Sequence, residues 1–347
     1  ETGEKARRYR TMSKQRLLPI LLLSSLVLSS SCRKDLCYDH DRHGLTTHVI
    51  LQTEWEQEWE RDYGMGWIDN WPDKHGIDYD LLCPDIATGI VSHVYHEDGS
   101  RTERHHDAEG GELPMSAGQK SILIYNDDTR YIVFNNIQTS ATATASTRTR
   151  TRATYTELHA DEITVNAPDM LYGTWIESYT AVPTAEPTTL AVTLRPLVYT
   201  YLIRYEFDQG IEHVTLARGA LSGTALSVNL HDGHTNTDAA TILYDCDIKD
   251  YGVEIQLTSF GVPEFPGEHY TRQTSLKHTL NLEVMLKNGK LKTFEFDVTD
   301  QLATQPRGGV ITVDGITVTD AEANGSEGFD VTVEGWGPYE DIELPLN

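Results

Sequence analysis

Cys32 carries the clearest chemical assignment in the chain. Lys14 and Arg16 give a short cationic start, Leu17–Leu28 runs apolar, and Ser29, Ser30 and Ser31 lead into Cys32. Small side chains are what a signal peptidase needs at the scissile bond, and a thiol just after that bond can take a diacylglyceryl thioether. The apolar run is too short for a bilayer-spanning helix, which needs about 20 residues. The favoured Leu falls at Leu28, one position early. Met12 opens this signal, so residues 1–11 read as a tag or an over-long start. The expectation is a lipidated Cys32 that holds the protein at the outer membrane, its only anchor because no second apolar stretch approaches a span.

Other reactive residues do not assemble into a known centre. Cys37, Cys83 and Cys246 share no metal-ligand spacing and read as free thiols, with a Cys37–Cys83 bridge as the alternative. Asp39, His40, Asp41 and His43 cluster in CYDHDRH, and a polar tether accounts for them better than a metal site. Neither G-x-S-x-G, H-E-x-x-H, a P-loop nor G-x-G-x-x-G occurs. GALSG at 219–223 has the composition of a nucleophile elbow but displaces its Ser222. His231-Asp232-Gly233-His234 reads as a polar turn. These observations point to a protein that is not an enzyme and needs no cofactor or metal.

Trp55, Trp59, Trp67 and Trp71 lie within one short acidic stretch. Exposed tryptophans there would stack on sugar rings or on a partner subunit; buried, they would form a lid over the first core. Both readings stand at the level of sequence.

The elements that must position these residues are strands. Residues 32–347 are long enough for two ordinary domains. The whole chain carries a formal charge of −25, and residues 1–31 hold six basic side chains against two acidic ones, which puts the remainder at −29. Such a surface argues against nucleic acid and against docking on anionic lipid. Strand-like runs recur, among them Thr46–Thr53, Gly89–His96, Gln119–Tyr125, Arg130–Phe134, Thr188–Phe207, Thr279–Lys287 and Leu291–Val298. Asp98-Gly99, Asn288-Gly289 and Asp314-Gly315 carry hairpin chemistry. Residues 139–154 (TSATATASTRTRTRAT) read as an exposed low-complexity loop. Pro196 interrupts the alternation of 188–207, and proline cannot serve a central ladder. The expected organisation is all-β with two antiparallel β-sandwich domains. It comprises a signal at 1–31, a lipidated tether at 32–45, an N-terminal sandwich at 46–195 and a C-terminal sandwich at 196–347.

Taken together, the signal, GQKSILIYN, RYIVFNN and APDMLYG, then VTLRPLVYTYLIRYEF, RGALSGTALSVNL and NGKLKTFEFDVTDQLATQP resemble the fimbrillin superfamily of Bacteroidales, close to its fimbrial anchor and tip proteins. The resemblance implies two transthyretin-like sandwiches, and other fimbrial subunits as partners joined by strand exchange, with adhesion to a host or glycan ligand. In chemical terms this is β-augmentation. It also implies that polymerising members lose a segment after an arginine. Arg42 is the early candidate here, and a chain that keeps the segment keeps its lipid and serves as an anchor or accessory subunit. The alternation of Ile342, Leu344 and Leu346 at the C-terminus suits a final edge strand or a donor strand.

Overall fold

The computed structural model describes residues 46–59, 67–152, 162–184, 186–266, 276–324 and 339–342. Cys32, Cys37 and Arg42 lie outside the described residues. Residues from Thr47 onward form one compact unit.

Seven strands close into a barrel: β1 (Val49–Trp55), β2 (Gly89–His96), β3 (Arg101–Asp107), β4 (Gly110–Glu112), β5 (Gly118–Asn126), β6 (Tyr172–Ala181) and β7 (Thr188–Pro196). Around the barrel the order is β6-β7-β1-β4-β3-β2-β5. The composition of each wall strand reports how many of its faces are covered. In β5 the run Ile122–Tyr125 is continuously apolar and wholly buried. Ile122 and Ile124 fill the barrel, while Leu123 and Tyr125 pack outward against a second cluster with Ala143, Ala145, Val198 and Phe260. In β7 the pattern alternates: Leu190, Val192 and Leu194 turn into the barrel, while Thr189, Ala191 and Thr193 are exposed.

The remaining main strands are β8 (Tyr199–Gln209), β9 (Val214–Ala225), β10 (Ala239–Asp245), β11 (Gly252–Ser259), β12 (Thr279–Leu286), β13 (Leu291–Asp297) and β14 (Gly309–Thr317). One sheet runs β13-β12-β9-β10 and continues through 164–165, 149–152 and 339–342; the other runs 247–249, β11, β8, β14. Leu221, Ile242, Leu282 and Val284 of the first meet Tyr201, Ile203, Leu257 and Ile311 of the second in one core, as in a sandwich. The expected all-β architecture is present. Asp98-Gly99 joins β2 to β3, and Asn288-Gly289 joins β12 to β13 with Leu286 N donating to Lys290 O at 2.8 Å.

Pro196 ends β7, and Leu197 and Val198 lead into β8. Strands 144–147, 149–152 and 164–165 precede Arg195 in sequence but pair with strands of the second half. Chain from both sides of Arg195/Pro196 is therefore woven into the same sheets.

Two sequence expectations need correction. Most of the stretch expected as a loop at 139–154 is strand: Thr144–Thr147 and Thr149–Arg152 are strands, Ala143 and Ala145 are fully buried, and residues 153–154 lie outside the described residues. Alternating Thr with Ala places a β-branched residue on one face and a small one in the core, which is strand chemistry despite the low complexity. Asp314-Gly315 is not a hairpin turn. Gly315 sits inside β14 at φ +76, where the pairing to β8 slips between Val313 and Ile316, so this glycine makes a bulge. At the C-terminus, Tyr339–Ile342 forms the edge strand of the seven-stranded sheet, antiparallel to Thr149–Arg152; Leu344 and Leu346 lie outside the described residues.

Candidate functional site

The tryptophans divide into two places. Trp55 ends β1, edge-on to Tyr172 at 4.9 Å, with its Nε1 donating to Ala108 O at 3.2 Å. Trp59, Trp67 and Trp71 pack together with Leu82 and Leu202, and Val310 of β14 lies against them. Trp59 and Trp67 stack at 5.1 Å, Trp71 meets Trp59 edge-on at 5.4 Å, and Tyr79 meets both Trp59 and Trp71 edge-on. Trp59 Nε1 donates to Thr200 O at 2.9 Å and Trp71 Nε1 to Ile77 O at 2.6 Å. Trp59 is 3% exposed and Trp67 9%. Rings that occupy one another's faces spend their aromatic surface on each other, and the Nε1 groups of Trp59 and Trp71 are bonded within the chain. Trp59 and Trp67 are buried as a lid over β8 and β14, half-buried Trp71 packs beside them, and half-buried Trp55 stands in the wall of the barrel.

Arg204 ties that lid down from beneath. It is 3% exposed, donates to His75 O at 2.6 Å, and lies over the Tyr251 ring at 4.2 Å beside Glu206 and Glu254. Cys83, at the edge of the lid, is a free thiol, and burial pushes it up.

The barrel is weakly joined at the seam between its long strands β6 and β7. Only Tyr172↔Pro196 and Gly173↔Arg195 are paired across it. Beyond Gly173, β6 follows β5, and its register slips between Ile176 and Tyr179. β7 meanwhile runs parallel to β1 from Thr188↔Val49 to Leu194↔Trp55. The two strands splay, and a cleft of about 820 Å³ opens between them, within the usual range for ligand sites. Trp175, Ile176, Leu190 and Val192 give it an apolar floor; Arg195, His231, Asp232 and Arg307 stand at its polar rim.

The main chain of β7 makes this cleft specific. In a parallel ladder alternate residues turn both backbone groups to the same neighbour. Thr188 N donates to His48 O, and Leu194 O accepts from Glu56 N, so the even-numbered residues serve β1. Thr189, Ala191 and Thr193 then face the seam, where no described strand pairs with them. An unpaired row of backbone donors and acceptors beside an apolar floor is the surface to which an extended peptide adds as a strand.

Rim residues are held in place. Arg195 Nε lies 3.6 Å from Glu56, and Asp232 accepts from His234 N at 3.0 Å. Trp175 packs against Tyr95 and His231, at ring distances of 6.1 and 5.0 Å, and its buried Nε1 has no hydrogen-bond partner. Trp175 lies in the strand-like run APDMLYGTWIE, but no local pattern in the sequence signals the splay that brings it to the cleft.

Residues 76–245, which include both strands of the seam, match the model of the family described as Domain of unknown function (DUF5119). Along nearly its whole length the chain is similar to a Bacteroides ovatus protein named "Putative fimbrium anchoring subunit Fim4B", at 22% identity covering 94% of this chain and 98% of that protein. A crystal structure of a "putative adhesin" from Bacteroides ovatus shares the fold, with a TM-score of 0.53 at 17% identity over 82% of this chain and 96% of that one.

Proposed function

We propose that this protein is a cell-surface subunit that anchors a fimbria or serves it as an accessory part, held at the outer membrane by lipid on Cys32. It receives an extended segment of a neighbouring subunit in the β6–β7 seam. The observation that carries this reading is the seam itself: Thr189, Ala191 and Thr193 turn unpaired main chain toward an apolar-floored cleft. Similarity to a protein named as a fimbrium anchoring subunit supports the class of role.

An anchor must keep its lipid. Cutting after Arg42 would separate Cys32 from the folded body, whereas β1 begins only at Val49, so the barrel and its seam do not need that cut. The anchoring role therefore goes with an uncut Arg42 and an acylated Cys32.

A photo-crosslinking amino acid at Thr193, on cells carrying assembled fimbriae, tests the seam. The expected product is an adduct whose partner peptide is an extended segment of another fimbrial subunit. Absence of such an adduct, with the same probe reacting at an exposed position away from the seam, contradicts strand capture. Intact mass of the membrane-bound protein tests the anchor: an unacylated Cys32, or a chain starting after Arg42, overturns it.

A further inference from the structure

β14 is the last strand of its sheet, paired to β8 along one side only. Its outer main-chain groups are nonetheless filled, by side chains. α1 (Thr299–Thr304) lies alongside it. The Gln301 carboxamide donates from Nε2 to Thr312 O at 2.9 Å and accepts at Oε1 from Thr312 N at 3.0 Å. Gln305, at the helix C-cap, does the same to Val310, with Nε2 donating to Val310 O at 2.9 Å and Oε1 accepting from Val310 N at 2.7 Å.

A primary amide carries the same donor and acceptor as a peptide unit. The spacing also matches: four residues of helix advance about 6 Å, and two residues of strand advance about 6.6 Å. Glutamines four apart on the helix therefore fall in step with residues two apart on the strand. Gly309 makes the room, since a Cβ there would lie 2.2 Å from Gln305 Oε1. Gln305 is itself buried, and its backbone carbonyl accepts the Tyr201 hydroxyl at 2.9 Å.

We infer that Gln301 and Gln305 act as a surrogate strand that closes the β14 edge, and that without them this edge pairs with the β14 edge of a second copy of this chain. Val310 and Thr312 are β-branched and uncharged, so no lysine or proline on this stretch of the edge would repel an incoming strand. Two identical edges meet about a twofold axis, each supplying what the other lacks. The inference goes beyond strand capture at the seam and stands without it.

The test is Gln301→Ala with Gln305→Ala in the full chain, which removes both amides and clears the space beside Val310 and Thr312. At dilution, the amide hydrogens of Val310 and Thr312 should exchange at least tenfold faster than in the wild type. On concentration the variant should form a dimer by sedimentation while the wild type does not. Unchanged exchange overturns the surrogate strand, and a variant that stays monomeric with exposed amides overturns the edge-closing role. Should the double variant fail to fold, Gln301→Ala alone decides the first point. Faster exchange at Thr312 with Val310 unchanged supports it; equal change at both, or none, contradicts it.

Discussion

The molecule holds two sheet margins that meet solvent in opposite ways. At the β6–β7 seam the strands part after Gly173, and the outer main chain of β7 has no described strand beside it. At β14 the equivalent row is occupied, residue by residue, by Gln301 and Gln305, and the Trp59 lid covers the adjoining face. The contrast shows that being last in a sheet does not make a strand available. What decides is whether nearby side chains can reproduce a peptide unit at the strand's own repeat. β7 has outward Thr189, Ala191 and Thr193 and, among the described residues, no helix beside it; β14 has glutamines spaced to fit.

The sharpest way to break this comparison is Ala191→Pro. It removes a seam-facing N–H and puts a ring in the path of an incoming strand, while the bonds from β7 to β1 use other residues. Binding of a fimbrial partner, measured by surface plasmon resonance, should fall more than about tenfold, since the lost hydrogen bond contributes about 1 kcal/mol and the steric block adds to it. Circular dichroism should stay that of the wild type.

Trp59→Ala sharpens the covered side. It empties the centre of the lid and orphans Thr200 O, which should cost about 3–5 kcal/mol in chemical denaturation. Partner binding by the folded fraction should be unaltered, because the lid and the seam share no residue.

A third prediction concerns the barrel wall. His93 is 1% exposed, with Nε2 2.7 Å from the Tyr125 hydroxyl and Arg101 NH1 2.7 Å from Nδ1. The guanidinium donates to Nδ1, so the neutral ring carries its proton on Nε2 and gives it to Tyr125. Burial, with the Arg101 charge, pushes its pKa down to about 4. An unfolded chain binds that proton near pH 6.5 and the folded one does not, so stability falls as pH drops from about 6.5 to about 4, by about 3 kcal/mol over the window. Above pH 7 the contribution is fully present. Urea titrations across this range should show the fall in the wild type and a flatter profile in His93→Gln.

The smallest effect is expected where the covered sheet ends. α2 (Asp320–Asn324) is held by Lys292 on Glu322 at 2.5 Å and by His213 on Asp320 at 2.8 Å. Lys292, then the Thr319 main-chain N–H, holds the Glu322 carboxyl down at about 2. Its stabilising effect is present above the ordinary carboxylate range and is lost as pH falls toward about 2. Because the pair is well exposed, Glu322→Gln should cost no more than about 1 kcal/mol at neutral pH and less in high salt.

Much of the architecture could be read from residue order. Continuous apolar runs such as ILIY in β5 mark strands covered on both faces, and the alternation in TTLAVTL marks one covered on a single face. Asn288-Gly289 gave its hairpin because a two-residue turn needs that chemistry locally. The failures share a cause: each depended on a neighbour distant in sequence. The Thr/Ala repeat at 139–154 looks featureless until Val228 and Leu230 pack over Ala143 and Ala145. Tryptophans at 55, 59, 67 and 71 signal clustering but not which side of the surface they take; Leu202 and Val310 decide it. The splay of β6 from β7 follows from the slip after Ile176 against β5, which no local pattern announces. Gln301 and Gln305 have helical spacing in a stretch too short to stand out, and their meaning appears only with β14 beside them.

Hydrogen exchange at Thr189, Ala191 and Thr193, followed in the free subunit and in the assembled fimbria, tests the open seam most directly. These amides should exchange rapidly in the free protein and become protected on assembly, while those of Val310 and Thr312 are protected in both states. Protection of the three β7 amides already in the free subunit, or no change on assembly, would contradict the seam as the place where a partner strand is taken.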